Sequence, residues 1–600
     1  MKFLLAALNA KYIHSNPGVY SLKAYAEFTR GGQQTVQGGS YPEGYDLPCW
    51  HVEIAEYTIN NQMEHILWDI YRRRPDAVGF SCYIWNIKEI LELIRDLAKV
   101  LPATDIWLGG PEVSYDAPEL LKREPAVTGV MKGEGEETFC RLLACYDRRG
   151  NIVNWEKLSD ISGLTYRCRQ SGGAEHIIDQ PVLPVMDMNR LPFLYQDMAG
   201  FENRIVYYES SRGCPFSCSY CLSSIDKSVR FRDVALVKQE LDFFITRKVP
   251  QVKFIDRTFN CNKSHAMAIW QHILERDNGV TNFHFEIAAD LLDEEELALL
   301  RQMRPGLIQL EIGVQSTNPQ TIRAIRRKMD LTRLGTTVAA VNAGHNIHQH
   351  LDLIAGLPYE DYESFCRSFN QVYGMQPEQL QLGFLKVLKG SHMAEMAAEY
   401  DLQYRAAPPY EVLSTRWLSY GDVLRLKGVE QMVEVYYNSR QFTATLKLME
   451  TEFADAFAMF AALAEYYERK SLAGLNHSRL ARYEILHQFL QEYFAAGYRY
   501  ERQKRYEDAL VYDLYLRENA KSRPSFARDQ RPEKERIRSG VGELRGLGTQ
   551  IHAEVFWSGE LIIFDYRSRD PLTGNAITIH REKERRKEND NGKTRNKGDA

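Results

Sequence analysis

Three cysteines stand together in the run Ser211-Arg212-Gly213-Cys214-Pro215-Phe216-Ser217-Cys218-Ser219-Tyr220-Cys221. Their spacing is C-x3-C-x2-C, placed just after a strand-like stretch at 204–208. Thiolates are the soft ligands that iron–sulfur clusters take. A four-iron cluster normally uses four cysteines, so three would leave one iron with an open position, which is what a catalytic metal needs. The alternatives are a zinc site with a distant fourth ligand and three cysteines without a metal. Zinc motifs usually carry a C-x2-C pair on both sides, and no second pair is present here. The other seven of the ten cysteines, Cys49, Cys82, Cys140, Cys145, Cys168, Cys261 and Cys366, are scattered. Cys82, Cys140 and Cys145 lie in apolar segments and read as small hydrophobes. A disulfide scaffold is small and cysteine-dense, unlike this chain, so a reducing cytoplasm is the expected location.

The elements that must carry this loop form a strand–helix series over 201–395. Apolar runs at 204–208, 252–255, 284–288, 308–313, 350–354 and 379–384 predict six strands with helices between them. Six such units suit a partial, open α/β barrel, where chemistry sits at the carboxyl ends of the strands. A second series fills 1–147, with predicted strands at 3–8, 52–57, 77–81, 106–108 and 129–131 and helices at 87–100 and 136–146. This alternation predicts a doubly wound parallel sheet, with ligands bound beyond its carboxyl edge. The unusual loops fall at that edge. They are Lys11-Tyr12-Ile13-His14-Ser15-Asn16-Pro17-Gly18, Ser81-Cys82-Tyr83-Ile84-Trp85-Asn86, Gly109-Gly110-Pro111-Glu112 and Gly133-Glu134-Gly135-Glu136. Four such loops on one edge suggest one large ligand.

Residues 148–200, broken by Pro181, Pro184 and Pro192, predict a linker with a small hairpin that includes 163–167. Residues 396–580 predict a mainly helical domain, with helical spacing at 453–470 and 479–494 and a strand pair at 549–566 around Ser558-Gly559. Within it Ala407-Pro408-Pro409-Tyr410-Glu411-Val412-Leu413 and Asp565-Tyr566-Arg567 read as caps and packing near turns. Residues 581–600 are almost free of apolar side chains and predict a disordered tail. The 600 residues carry 75 Lys plus Arg against 80 Asp plus Glu, which argues against a bulk electrostatic grip on nucleic acid. No apolar run reaches the roughly 18 residues of a membrane span, so no membrane role is expected. The opening Met-Lys-Phe-Leu-Leu-Ala-Ala-Leu reads as a first buried strand rather than a signal peptide, because Asn9 and Lys11 follow at once.

The cysteine motif in this setting resembles the radical-SAM superfamily, over roughly 201–395. The resemblance implies that Cys214, Cys218 and Cys221 hold a 4Fe–4S cluster, and that S-adenosylmethionine (SAM) chelates its open iron. Tyr220 stands where the family usually has an aromatic. Asp256 and Thr258, in Phe254-Ile255-Asp256-Arg257-Thr258, follow the second strand, where the family binds the amino end of SAM; many members carry Gly-Gly-Glu there. Gln315 and Ser316 resemble the ribose-contacting stretch, and Ile354 and Gly356 the adenine-contacting one. Some members use a cysteine as hydrogen donor, for which Cys261 and Cys366 are candidates.

The first 147 residues resemble the cobalamin-binding domain fused to many radical-SAM enzymes. That resemblance gives His14, Gly18, Ser81, Tyr83, Gly109, Gly110, Pro111, Gly133, Glu134 and Gly135 as cobalamin contacts. The loop lacks the Asp two residues before the histidine that histidine-ligating relatives have, so a lower cobalt ligand from His14 is not implied. His14 would bond a corrin side chain or cap the helix near Pro17. The alternative is a domain of this type that has lost its ligand. The C-terminal third resembles the extra domain of one branch of these proteins. Together the resemblances imply a cobalamin-dependent radical-SAM enzyme that methylates an unactivated carbon, fed by a reductant such as flavodoxin or ferredoxin. A cyclase or rearrangement enzyme, a methylthiotransferase and a non-catalytic corrinoid or metal sensor are the rivals.

Overall fold

A computed structural model of the chain describes residues 1–30, 50–146, 156–168, 176–494, 500–542, 544 and 550–581. It divides into two units, Met1–Leu424 and Arg425–Ala600. Cys49, the stretch 148–155 and the tail from 582 onward lie outside the described residues.

The first unit opens on β1 (Lys2–Asn9), whose residues from Phe3 to Leu8 are all buried. A continuous apolar run of this kind suits a strand covered on both faces. With β2 (His51–Thr58), β3 (Ala77–Ser81), β4 (Asp105–Gly109) and β5 (Gly129–Met131) it forms a parallel sheet of order β2-β1-β3-β4-β5. Helices α1 (Pro17–Arg30) and α5 (Gly135–Leu143) supply Val19, Ala26, Phe139 and Leu142 to a core with Phe3, Leu5 and Ala7. Helices α2 (Met63–Arg73), α3 (Ile87–Val100) and α4 (Ala117–Arg123) supply Ile66, Ile70, Ile90, Ile94 and Leu120 to a second core with Leu4, Ala6 and Leu8. Alternate residues of β1 thus feed two cores, one on each face, and the sheet is doubly wound. The strand order reverses between β1 and β3, the switch point where such sheets bind ligands.

The hairpin expected inside a linker has another place. Its strands β6 (Leu164–Cys168) and β7 (His176–Asp179) continue the same sheet antiparallel beyond β5. β6 is buried along its whole length, so the hairpin completes the sheet rather than bridging to the next domain.

A second sheet holds β8 (Val206–Tyr208), β9 (Gln251–Phe254), β10 (Asn282–Ile287), β11 (Ile308–Gln315), β12 (His348–Ala355) and β13 (Gln379–Phe384), all parallel and in sequence order. This is the open six-stranded α/β arc expected. One face is apolar and buried, through Val252, Phe254, Phe285, Leu310, Leu351 and Leu380; full burial of each such side chain contributes about 1.5–3 kcal/mol. The helices after the strands begin on side-chain caps. Asp233, Asn262, Asp293, Asp330 and Asp361 each accept from a backbone N–H of the first helical turn.

In the second unit, helices Thr443–Glu450, Ala456–Arg469, Arg479–Tyr493 and Tyr500–Arg517 accompany an antiparallel sheet of Ile551–Val555, Leu561–Arg569 and Ala576–Arg581. The third strand adds to the predicted pair. Buried Asp513 accepts from the backbone N–H groups of Ala444 and Thr445 and from the Thr445 hydroxyl, capping a helix some 70 residues away in sequence. Among the described residues no helix is long and apolar enough to cross a membrane.

Candidate active site

The cysteine loop leaves and returns at one point, because Ser211–Arg212 pairs antiparallel with Arg230–Phe231. Gly213 enters it at φ +89°, where a Cβ would stand 2.6 Å from the carbonyl oxygen of Ser228. Only glycine fits that entry. The loop is tied internally. Cys214 N–H donates to Asp226 O at 3.3 Å, and the Ser224 hydroxyl donates to the carbonyls of Cys218 and Cys221 at 2.9 and 2.6 Å. Cys214 and Cys218 are buried and Cys221 is half-buried. Cys214 Sγ lies 3.8 Å from Thr258 Oγ1. Arg327 Nη1 lies 3.8 Å from Cys218 Sγ and 3.4 Å from the Tyr220 hydroxyl, while its Nη2 donates to the carbonyl of Gly313. Burial pushes the Cys218 thiol up, and the Arg327 guanidinium opposes that shift.

The predicted strand-end residues divide by what they touch. Asp256 is buried at the end of β9 and accepts from Ser210 N–H at 3.0 Å and from the hydroxyls of Ser210 and Ser211 at 2.6 Å each. Burial pushes its carboxyl up to about 6 against those bonds. Asp256 therefore braces the strand that enters the cysteine loop. Gln315 sits at φ +73° where β11 shifts register, and its Oε1 is buried with no hydrogen-bond partner. Ser316 donates to Glu360 Oε1 at 2.7 Å. Ile354 packs with Tyr220 in one apolar cluster, and Gly356 turns the chain beyond β12. Cys261 is half-buried, and burial raises its thiol to about 11.

A cavity of about 660 Å³ lies at the carboxyl edge of the N-terminal sheet. Gly18, Ser81, Tyr83, Gly109, Gly110, Pro111, Gly133, Glu134 and Gly135 all line it. Gly110 has φ +112°, and a Cβ there would meet the Cys82 carbonyl oxygen at 2.5 Å. Tyr83 stacks on Trp85 at 4.3 Å, which fixes its ring. His14 is not among the lining residues. Its Nδ1 pairs with the Tyr207 hydroxyl at 2.5 Å, and the neighbouring Ile13 carbonyl accepts from Ile205 N–H, so this loop pins the first sheet to β8.

Sequence reasoning missed the rest of the cavity wall. Val182, Leu183 and Val185 come from the segment after the hairpin, and Leu222, Ile225 and Asp226 from the cysteine loop itself. Arg212 of that loop pairs with Glu136 at 2.7 Å and Glu209 at 2.8 Å, and Arg230 pairs with Glu134 at 2.7 Å. The sole sequence signal was a pair of arginines flanking the cysteines. A second cavity of about 310 Å³ shares Gly18, Tyr83 and Glu134–Glu136 and continues past Tyr207 and Glu209 at the end of β8.

The inner face of the six-stranded arc is polar. Lys253, His284, Glu286, Glu311, His350, Asp352 and Gln381 alternate with the buried apolar residues. Glu311 accepts from Lys253 at 3.0 Å and pairs with His284 at 2.9 Å.

A doubly wound sheet whose edge cavity is walled by a three-thiol loop at the mouth of an open α/β arc defines a two-cofactor class of architecture. Comparison with known families agrees. Residues 208–372 match the radical SAM superfamily model, 5–143 the B12 binding domain, and 398–556 a protein family of unknown function, DUF4080. The chain thus carries a B12-binding domain followed by a radical-SAM domain. It is 24% identical over 341 residues to hopanoid C-3 methylase of Methylococcus capsulatus, covering 54% of this chain and 63% of that one. It is 26% identical over 326 residues to the cobalamin-dependent radical SAM methyltransferase TokK of Streptomyces tokunonensis, covering 48% and 44%. The chain thus spans less than two thirds of these relatives. The solved structure of the cobalamin-dependent SAM radical enzyme OxsB, with aqua-cobalamin and SAM bound, shares its fold at TM-score 0.56 and 14% identity, over 91% of this chain and 81% of that one.

Proposed function

We propose that this protein is a cobalamin-dependent radical-SAM enzyme that methylates an unactivated carbon. The observation that carries the reading is the shared wall: Leu222, Ile225 and Asp226 of the cysteine loop line the cavity at the edge of the B12-binding sheet. The residues suit both groups. Three soft thiols on one tied loop would hold a 4Fe–4S cluster, and the glycine-rim cavity would take a corrin. The buried, unbonded Gln315 Oε1 is an acceptor in want of a donor, as a ribose hydroxyl would be. Bound there, the cluster with SAM supplies a 5′-deoxyadenosyl radical and methylcobalamin supplies the methyl group.

The chain's own residues do the rest. Cys214, Cys218 and Cys221 bind the cluster, and Arg327 and Thr258 flank its thiolates. Tyr220, Thr258, Gln315, Ser316, Ile354 and Gly356 position SAM, with Asp256 holding the strand behind them. Gly18, Ser81, Tyr83, Gly109, Gly110, Pro111, Gly133, Glu134 and Gly135 bind cobalamin, and His14 positions their loop through Tyr207. The domain bounds that go with this reading are 1–147, 201–395 and 396–580, with the hairpin counted to the first. A cytoplasmic flavodoxin or ferredoxin is the fitting reductant.

The test is anaerobic reconstitution with iron, sulfide and cobalamin. About four irons and one cobalt per chain, with 5′-deoxyadenosine formed from SAM, are expected. Cys218→Ala should abolish 5′-deoxyadenosine. Normal formation by that variant would overturn the three-cysteine assignment, and iron binding without cobalt would overturn the cobalamin half.

A further inference from the structure

The inner face of the arc gathers three carboxylates, Glu286, Glu311 and Asp352. Strand register places Glu286 beside Glu311, and Asp352 stands one strand further on, beside Gly313. Oxygen or nitrogen atoms of Glu311, His350 and Asp352 lie within 4.8 Å of one another. The lysine of this face, Lys253, is taken up by Glu311. Glu286 makes no hydrogen bond or ion pair among the described residues. Asp352 Oδ1 is shielded from solvent and makes no hydrogen bond, although His350 Nε2 stands 3.2 Å away. Arg327 attracts Asp352 but has its own hydrogen bonds committed to Cys218, Tyr220 and the Gly313 carbonyl. Arg257 attracts Glu286 from an exposed position on the loop above.

Carboxylates largely withdrawn from water are costly when no cation bonds them directly, and they resist ionising. Burial and mutual repulsion push Glu286 up to about 7 and Asp352 well above its usual value. An arriving ammonium or guanidinium group relieves both effects at once. It gives Glu286 a hydrogen-bonding partner and Asp352 one besides His350. An apolar substrate does the reverse: it strips the remaining solvent from these groups and supplies nothing.

We propose that the substrate of this enzyme bears a cationic nitrogen group, an amine or a guanidine, which Glu286 and Asp352 bind on the inner face of the arc. This rests on the radical-SAM reading given above and names the chemical class on which it acts. Glu311, already paired to Lys253 and His284, fixes the third side of the subsite.

The test measures binding of agmatine, spermidine, L-arginine and n-butylamine to the reconstituted wild-type protein with SAM, by calorimetry, against citrulline and n-butanol as neutral counterparts. At least one cation should bind about tenfold more tightly than the neutral compounds, and Glu286→Gln and Asp352→Asn should each weaken it by about tenfold. The cluster absorption band and the melting temperature check that both variants are folded. Three results overturn the proposal: no cation bound by wild type, equal affinity in the variants, or binding of Mn2+ alone with the Glu311, His350 and Asp352 trio as its ligands. Wild-type protein that cleaves SAM but binds no amine sinks the cationic subsite and leaves the radical reading intact. Protein that binds agmatine through Glu286 but never cleaves SAM has the opposite meaning.

Discussion

Arg327 brings a fixed positive charge to within 3.8 Å of Cys218 Sγ, although 109 residues separate the two in the chain. The same guanidinium donates to the Gly313 carbonyl at the end of β11, so it is held in place from behind. A cation beside a ligand sulfur favours the more negative, reduced state of a cluster. In reconstituted protein, Arg327→Gln should therefore move the cluster midpoint toward more negative potential by roughly tens of millivolts. A redox titration followed by electron paramagnetic resonance checks this, and an unchanged midpoint would show that the contact does not tune the cluster.

Glu136 and Arg212 predict a defined acid lability. Burial alone would raise the Glu136 carboxyl, but Arg212 and the Ser21 hydroxyl outweigh it and hold the group at about 2. A carboxylate with a depressed folded-state pKa stabilises the fold above its unfolded value and loses that contribution as pH falls. From 4.5 to about 2 the loss is of the order of 3 kcal/mol. Urea unfolding of wild type and Glu136→Gln across this window should give stabilities that converge as pH drops. Parallel curves would mean that the ion pair contributes nothing.

Gly110→Ala tests the rim of the larger cavity. The substituted Cβ would press on the Cys82 carbonyl at 2.5 Å from a backbone at φ +112°. A cost of about 1–3 kcal/mol is expected, seen as a melting temperature lower by several degrees. Corrinoid binding, read from the visible spectrum, should weaken together with it. A variant as stable as wild type would show that the loop relaxes freely.

Asp513→Ala should destabilise the second unit by about 2–4 kcal/mol, because it leaves the buried Thr445 N–H, the part-buried Ala444 N–H and the Thr445 hydroxyl without their acceptor. Limited proteolysis should then cut first within that unit. Asp513→Asn, which keeps one acceptor oxygen, should lose less.

The strands were legible where burial on both faces forced an apolar run, as in β3 and β5, or where apolar and polar residues alternate, as in β13; all three stand at their predicted bounds. The cysteine spacing marked the loop because its three thiols are local. What remained hidden depends on contacts between distant segments. β6 and β7 read as a small hairpin, but nothing in their composition said that β5 offered them an edge. Arg327 is one of 75 basic residues and carries no mark of its neighbour. His14 sits in the loop where a cofactor histidine is expected, yet its ring turns to Tyr207, a partner nearly 200 residues away. The polar inner face of the arc was present in the strand pattern as alternation. Its meaning emerged only once register set Glu286 beside Glu311.

The wall contributed by residues 182–185 and 222–226 limits how separable the first domain is. A fragment ending at residue 147 would keep the whole parallel sheet and every glycine of the rim, but would lose β6 and the core residues Leu164 and Tyr166. It would also present an open shelf in place of an enclosed chamber, with Glu134 and Glu136 deprived of Arg230 and Arg212. Grafted onto a different catalytic partner, this sheet would need those two later segments transplanted with it. The corrin-type domain of this chain does not close its own chamber.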